Sequence, residues 1–218
     1  MSFWDTDFAI SIIPQILGGA RVTIAATFGG FAAAMVIGLI FACRPRRGVI
    51  AWAVIGFVES IRSTPLLVQI FFLYYVLPNW GIVMSAWLTG VLALGLHYGC
   101  YISEVFRAGF ESVPQGQREA SVALNLGRYH TFRDIVLPQA LLPIVPALGN
   151  YLIGMFKETP ILFVISVHEM LSVAKLIGSE TFRYTEPYTI VGAIFLVLSL
   201  SAAALVQQVE RWLGRWTR

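Results

Sequence analysis

Four ionisable residues, Glu59, Arg62, Lys157 and Glu158, fall in stretches that are otherwise apolar. A charge in such a stretch is costly enough to point to a function or to a fixed partner. Glu59 and Arg62 stand three residues apart, the spacing at which side chains meet on one helix face. They read either as a structural ion pair beside a break at Pro65 or as part of a polar path, with Thr64 beside them. Lys157 and Glu158 come just before Pro160, which disfavours helix at Thr159 and would free backbone groups to face a cavity. Glu158, with Lys157 and Thr159 near it, is therefore expected to contribute to such a polar path, unless the span ends earlier and leaves all three in water.

Reactive chemistry is otherwise missing. No G-x-x-x-x-G-K-[ST] occurs, so the chain has no phosphate-binding loop with which to hydrolyse ATP. His168-Glu169 begins like a zinc helix, but the second histidine would fall on Ser172. His97, His130 and His168 lie on separate segments without an obvious nucleophile, and His97 reads as packed or hydrogen-bonded. No G-x-S-x-G is present. Cys43 and Cys100 sit in apolar runs and read as small buried side chains. No cofactor, metal or catalytic residue is expected, and the basic residues are too scattered for a nucleic-acid footprint.

The elements that hold these residues are membrane spans. The 218 residues are 57% apolar and only 12% charged, against about 25% charged in soluble domains. Mean hydropathy is +0.75. Stretches poor in charge predict an all-α chain with five transmembrane helices, at about Val22 to Cys43, Val49 to Leu77, Met84 to Phe106, Ile135 to Phe156 and Tyr188 to Val206. The second is interrupted from Glu59 to Pro65 and is expected to break within the membrane. Retention of Lys and Arg on the cytoplasmic side orients the chain. With Arg44, Arg46 and Arg47 inside, the N-terminus is periplasmic and the C-terminus cytoplasmic. Arg107, Arg118, Arg128, Arg133, Arg211, Arg215 and Arg218 then also fall inside, making ten of the 15 basic residues. Trp80 and Trp87 at one interface, and Trp212 and Trp216 at the other, fit aromatic belts. The segment from Met1 to Leu17 lacks the basic start and cleavage site of a signal peptide and is expected to belong to the mature protein.

In the first span, Ala25, Gly29 and Ala33, with Ala26, Gly30 and Ala34 beside them, form a small-residue face suited to close helix approach, within the chain or against another subunit. Between Ile161 and Pro187, the stripe Val167, Met170, Leu171 and Ala174 predicts a helix at the outer interface, with His168, Glu169 and Lys175 off the stripe. The segment of about 107–138 is polar and falls on the cytoplasmic side. Pro114 can open a helix there, and Ala120, Ala123, Leu124 and Gly127 give it one small, apolar face. That helix either lies against the membrane and the spans or presents its face to another protein.

Glu119-Ala120-Ser121, then Ile135-Val136-Leu137-Pro138, resembles the EAA loop of ABC importer permeases, E-A-A-x-x-x-G-x9-I-x-L-P. Glu119, Ala120, Ile135, Leu137 and Pro138 match in register. Ser121 stands for the second Ala and Asn125 for the Gly; Asn tolerates left-handed backbone, and Gly127 is an alternative source of flexibility. Glu59-Ser60-Ile61-Arg62-Ser63-Thr64-Pro65-Leu66-Leu67-Val68-Gln69 is similar to the polar amino acid permease pattern E-S-x-R-G-T-P-L-L-V-Q. Glu104 to Arg107, Val113 to Gln117, and Lys157-Glu158-Thr159-Pro160 match further patterns of that group, with Pro160 where Ser is usual.

The resemblance covers about Gly18 to Leu213 and implies a single permease domain, 1–218, of type I importer architecture in the bacterial inner membrane. It further implies a second permease copy or paralogue, two ATP-binding subunits that carry ATP and Mg, and a periplasmic substrate-binding protein. Glu119 would anchor the loop to the ATPase, with Ala120 and Ser121 as close-contact surface, and polar amino acids or related zwitterions would be the cargo. A self-sufficient ion-coupled transporter or channel is the alternative, in which Glu59 and Glu158 would couple ions.

Overall fold

A computed structural model describes residues 4–45 and 47–213, and every regular element in them is helical. Arg46, Arg215, Trp216 and Arg218 of the charge and aromatic patterns lie outside the described residues. The order is α1 (Thr6–Ala42), α2 (Val49–Arg62), α3 (Leu66–Phe71), α4 (Ala86–Glu111), α5 (Gln115–Ala123), α6 (Arg128–His130), α7 (Leu137–Glu158), α8 (Met170–Thr181) and α9 (Thr185–Leu213). A π turn, Phe72–Val76, and a 3-10 turn, Leu77–Trp80, continue α3. A second π turn, Thr131–Val136, joins α6 to α7, and a 3-10 stretch, Thr159–Ile165, follows α7.

Three helical stretches are long and apolar enough to cross a membrane: Thr6–Ala42, Arg128–Ile165 and Thr185–Leu213. The pair Val49–Arg62 and Leu66–Trp80 passes the same test jointly and is bent by 106°. The molecule is a multi-pass membrane protein.

Helix α1 begins well before the expected Val22. Asp5 caps it, its Oδ1 accepting from the backbone N–H groups of Asp7 and Phe8 at 3.1 Å each. Pro14 is tolerated inside the helix. Its 37 residues give a rod of about 55 Å. The face Ala26, Gly30 and Ala34 is fully buried, and α4 packs on it. A Cβ on Gly95 would stand 2.6 Å from that of Ala33, and one on Gly99 would meet Ile37 at 2.8 Å. Backbone contact between α1 and α4 requires glycine there, so the small residues serve packing within the chain. Leu94, Ile102, Ile144, Met155 and Leu162 fill the main core from α4, α7 and the turn after α7.

A second core joins Ile12 and Ile16 of α1 to Met170, Ala174 and Ile177 of α8 and Val191 of α9. The apolar stripe through Met170 and Ala174 faces this core. Glu169, expected off the stripe, is instead fully buried, because its carboxylate caps α8, accepting from the N–H groups of Leu171 at 2.8 Å and Ser172 at 2.6 Å. An ion-paired clasp closes the same end of the molecule. Arg183 reaches Asp5 at 3.1 Å and Glu186 at 2.8 Å, and the Asp5 N–H donates to Glu186. At the opposite end, Glu104 sits between Arg44 and Arg107, each 2.9 Å away. Cys43, read as buried, is exposed because α1 ends there, whereas Cys100 is buried in α4.

Candidate functional site

The break between α2 and α3 organises the first site. Ser63, Thr64 and Pro65 interrupt the helix, and the last carbonyls of α2 need other partners. Gln69, nearly buried, supplies them: its Nε2 lies 2.7 Å from the Ile61 carbonyl, 3.0 Å from that of Thr64 and 2.9 Å from Thr64 Oγ1. The other end of the same amide, Oε1, is 3.1 Å from His97 Nδ1. Tyr101 donates to the Arg62 carbonyl at 3.1 Å, and the Arg62 guanidinium lies over the Tyr101 ring at 5.2 Å. His97 is therefore hydrogen-bonded, as its setting in an apolar run suggested.

These groups border a cleft of ≈ 560 Å³. Arg62, Thr64, Lys157 and Glu158, four of the six residues proposed for the path, line it together, with His97 and Tyr101 added from α4. Both charge signs thus face one opening. Arg62 pairs with Glu59 at 2.7 Å through Nη1, while its Nε is buried without a hydrogen-bond partner. Glu59 itself is more than half exposed and reaches the cleft only through Arg62. Thr159 is placed elsewhere: fully buried, it shares a hydrogen bond with Thr27 of α1 at 2.9 Å and donates to the Met155 carbonyl at 3.0 Å. Pro160 does not open the backbone as expected, because the chain tightens into 3-10 helix through it. That turn ends at Ser166, whose φ of 63° is left-handed. Gln69 and Tyr101 escaped sequence reading, although Gln69 closes the quoted E-S-x-R motif.

The second site is the segment after α4. Helix α5 begins behind Pro114 and stops at Ala123, so Gly127 lies beyond the face on which it was expected. Asn125 has a φ of 55°. The Asn125 N–H bonds the Val122 carbonyl at 2.9 Å and the Leu126 N–H bonds that of Ser121 at 3.0 Å, the paired closure of a Schellman motif. Asn125 thus performs the turn for which the loop pattern has glycine. Gly127 adopts ordinary extended backbone, φ −64° and ψ 153°.

Glu119 and Ala120 are exposed, and Gln115 holds Glu119 from one side at 2.8 Å. Ser121, expected on the contact surface, is fully buried. Its position on α5 turns it towards the spans, and its hydroxyl donates to the Arg118 carbonyl at 2.7 Å. In its place Val122 and Leu124 are 75% and 73% exposed. Arg118 ties α5 to α4 through the Phe110 carbonyl at 2.8 Å. Ile135, Leu137 and Pro138 lie along the π turn and the start of α7, carrying the loop directly into a long helix. Among the described residues no group of three or more His, Cys, Asp or Glu side chains could hold a metal ion.

An exposed helix at one end of apolar helices and a polar cleft between them fit a transport permease. Residues 34–215 match the family described as binding-protein-dependent transport system inner membrane component, and the chain belongs to that family. It is 48% identical over 216 residues to a probable amino-acid ABC transporter permease of Sinorhizobium fredii, covering 95% of this chain and 93% of that one. It is 34% identical over 203 residues to the glutamine transport system permease of Escherichia coli strain K12, covering 91% and 93% respectively. A crystal structure of an amino acid ABC transporter with histidines superposes with a TM-score of 0.88 at 34% identity, covering 97% of this chain and 99% of that one. The chain is the transmembrane subunit of a binding-protein-dependent importer, working with ATPase and substrate-binding partners. A self-sufficient ion-coupled transporter is thereby set aside.

Proposed function

We propose that the chain is a single permease domain that crosses the bacterial inner membrane five times, with Asp5 on the periplasmic side and Leu213 on the cytoplasmic side. It pairs with a second permease copy or paralogue and passes polar amino acids or related zwitterions. The observation that carries this is the cleft where Arg62, Lys157 and Glu158 converge from separate segments. A zwitterion presents a carboxylate and an ammonium, and the cleft offers a guanidinium and an ammonium for the first and a carboxylate for the second. Amino-acid cargo of the relatives supports the same class.

In this reading α5 docks in the ATPase, with Glu119 accepting charge-assisted bonds and Ala120, Val122 and Leu124 as the contact surface. ATP and Mg are held by the partner. Closure of the ATPases tilts α5, and the turn at Asn125, α6 and the π turn carry the motion into α7 and on to Lys157 and Glu158, which switches access to the cleft. Glu59 fixes Arg62, and Thr159 locks the end of α7 to α1.

Reconstituted complexes test both halves. Wild type is expected to raise ATP hydrolysis when a loaded binding protein and one amino acid of a panel are present. Glu119→Ala should abolish that rise while the complex still assembles. Glu158→Gln should keep assembly and basal hydrolysis but reduce uptake at least tenfold, an effect of about 1.4 kcal/mol. Undiminished uptake by Glu158→Gln, Lys157→Met and Arg62→Gln alike would remove the cleft from the path.

A further inference from the structure

We propose that the Arg44 end of the molecule carries a binding site for one anionic phospholipid. The proposal rests on the orientation above only in assigning that end to the cytoplasmic leaflet. A cavity of ≈ 540 Å³ opens there between the end of α1, α2, the end of α4, α5 and the π turn before α7. That is a volume in the range of ligand pockets. Its walls are apolar, formed by Leu39, Ile55, Phe110, Val122, Leu126 and Phe132.

Its rim carries four guanidinium groups, Arg44, Arg107, Arg118 and Arg128. Glu111 lies on the same wall, and Glu104 stands behind it, engaged by Arg44 and Arg107. The rim stays net positive after both carboxylates are counted. Arg118 donates through one Nη to the Phe110 carbonyl. The guanidinium of Arg128 makes no hydrogen bond or ion pair among the described residues.

An apolar cavity with a cationic mouth fits an amphipathic anion. A phosphate headgroup would sit at Arg118 and Arg128, matching the forked donors of arginine, and an acyl chain would lie against Phe110 and Phe132. Basic pockets at the cytoplasmic ends of spans suit anionic headgroups. A soluble anion would leave the apolar wall wet, and an apolar peptide would leave the rim without counter-charge. Because α5 supplies Arg118 and Val122, a lipid here braces α5 against the spans and makes the contact with the ATPase sensitive to leaflet composition.

The test is lipid retention by the permease purified with its partners, read by native mass spectrometry after detergent washing. Retention is then titrated in nanodiscs of phosphatidylcholine with increasing phosphatidylglycerol. Wild type should hold one phosphatidylglycerol per permease chain. Arg128→Gln should weaken retention about fivefold, the effect of removing one basic residue near an anionic lipid, while Arg128→Lys keeps most of it. Leu126→Trp, which fills the wall without changing charge, should expel the lipid, and glycerol phosphate should not displace it. Equal retention of phosphatidylcholine, or undiminished retention by Arg128→Gln and Leu126→Trp, overturns the proposal. Displacement by glycerol phosphate makes the site one for soluble anions and overturns it as well. So does a Leu126→Cys cross-link to the ATPase in lipid-stripped complex, which gives the wall to protein. Retention is read without transport or hydrolysis, so its failure leaves the importer reading intact.

Discussion

Two buried polar side chains hold backbone that would otherwise lack partners, and each makes a distinct prediction. Gln69 bridges the carbonyls of Ile61 and Thr64 across the α2 to α3 break. Gln69→Leu leaves the Thr64 carbonyl without its side-chain donor and takes one of three donors from the Ile61 carbonyl, at a cost of about 1–3 kcal/mol. Denaturation of the purified complex should show that loss, and uptake should fall with it, since Arg62 and Thr64 are set by the same break. Glu169, at the N-terminus of α8 outside the spans, is pushed by burial up to about 7 from 4.5, against the opposing pull of the Leu171 and Ser172 N–H groups. Between those values the folded chain holds a proton that the unfolded chain has released, so the contribution of Glu169 to stability is fully present below pH 4.5 and is lost as the pH rises through 7. Glu169→Gln should flatten that slope in thermal melts from pH 4 to pH 8.

At the scale of elements, α5 and its turn were the most legible part. Pro114 placed the start of the helix and the motif register left its turn to Asn125 or Gly127, because both follow from local backbone chemistry; the structure chooses Asn125. Asn125→Gly should leave hydrolysis and stability near wild type. Asn125→Val, which forces a β-branched residue into left-handed backbone, should cost about 1–2 kcal/mol, open the loop to limited proteolysis and lower binding-protein-stimulated ATP hydrolysis. The break at Pro65 was equally readable, since proline acts on its own neighbours. What escaped were side chains whose direction depends on partners distant in sequence. Ser121 turns inward where α5 packs on the π turn before α7, Glu169 turns inward to cap α8, and Thr159 meets Thr27 across 132 residues. Helix periodicity set Glu169 off the stripe, the loop resemblance put Ser121 outward and Pro160 drew Thr159 towards the path, and none of the three signals carries the distant partner.

For the whole molecule, the two ends are closed by different ion-pair assemblies. At the Asp5 end, Arg183 gathers Asp5 and Glu186 and ties the first turn of α1 to α9. The Phe8 N–H and then Arg183 hold the Asp5 carboxyl below its ordinary range. The Asp5 carboxylate contributes stability above the ordinary carboxylate range and loses it as the pH falls through its lowered value, the opposite sense to Glu169. Arg183→Ala should speed amide exchange in residues 6–12, and acidification below the carboxylate range should speed it in the wild type too, while Arg183→Lys restores part of the protection. Architecture at this scale was only partly legible. Charge asymmetry suggested which end is which, but neither clasp could be read from a sequence in which Asp5 and Arg183 lie 178 residues apart.

The unbroken run of α1 has a mechanical consequence. A helix of 37 residues, capped at Asp5 and pressed backbone to backbone on α4 beyond Pro14, makes the two helices a paired rod. Bending is then expected where the chain is already interrupted, at Ser63 to Pro65, beside the polar cleft: amide exchange in the complex should be faster at that break than along the middle of α1.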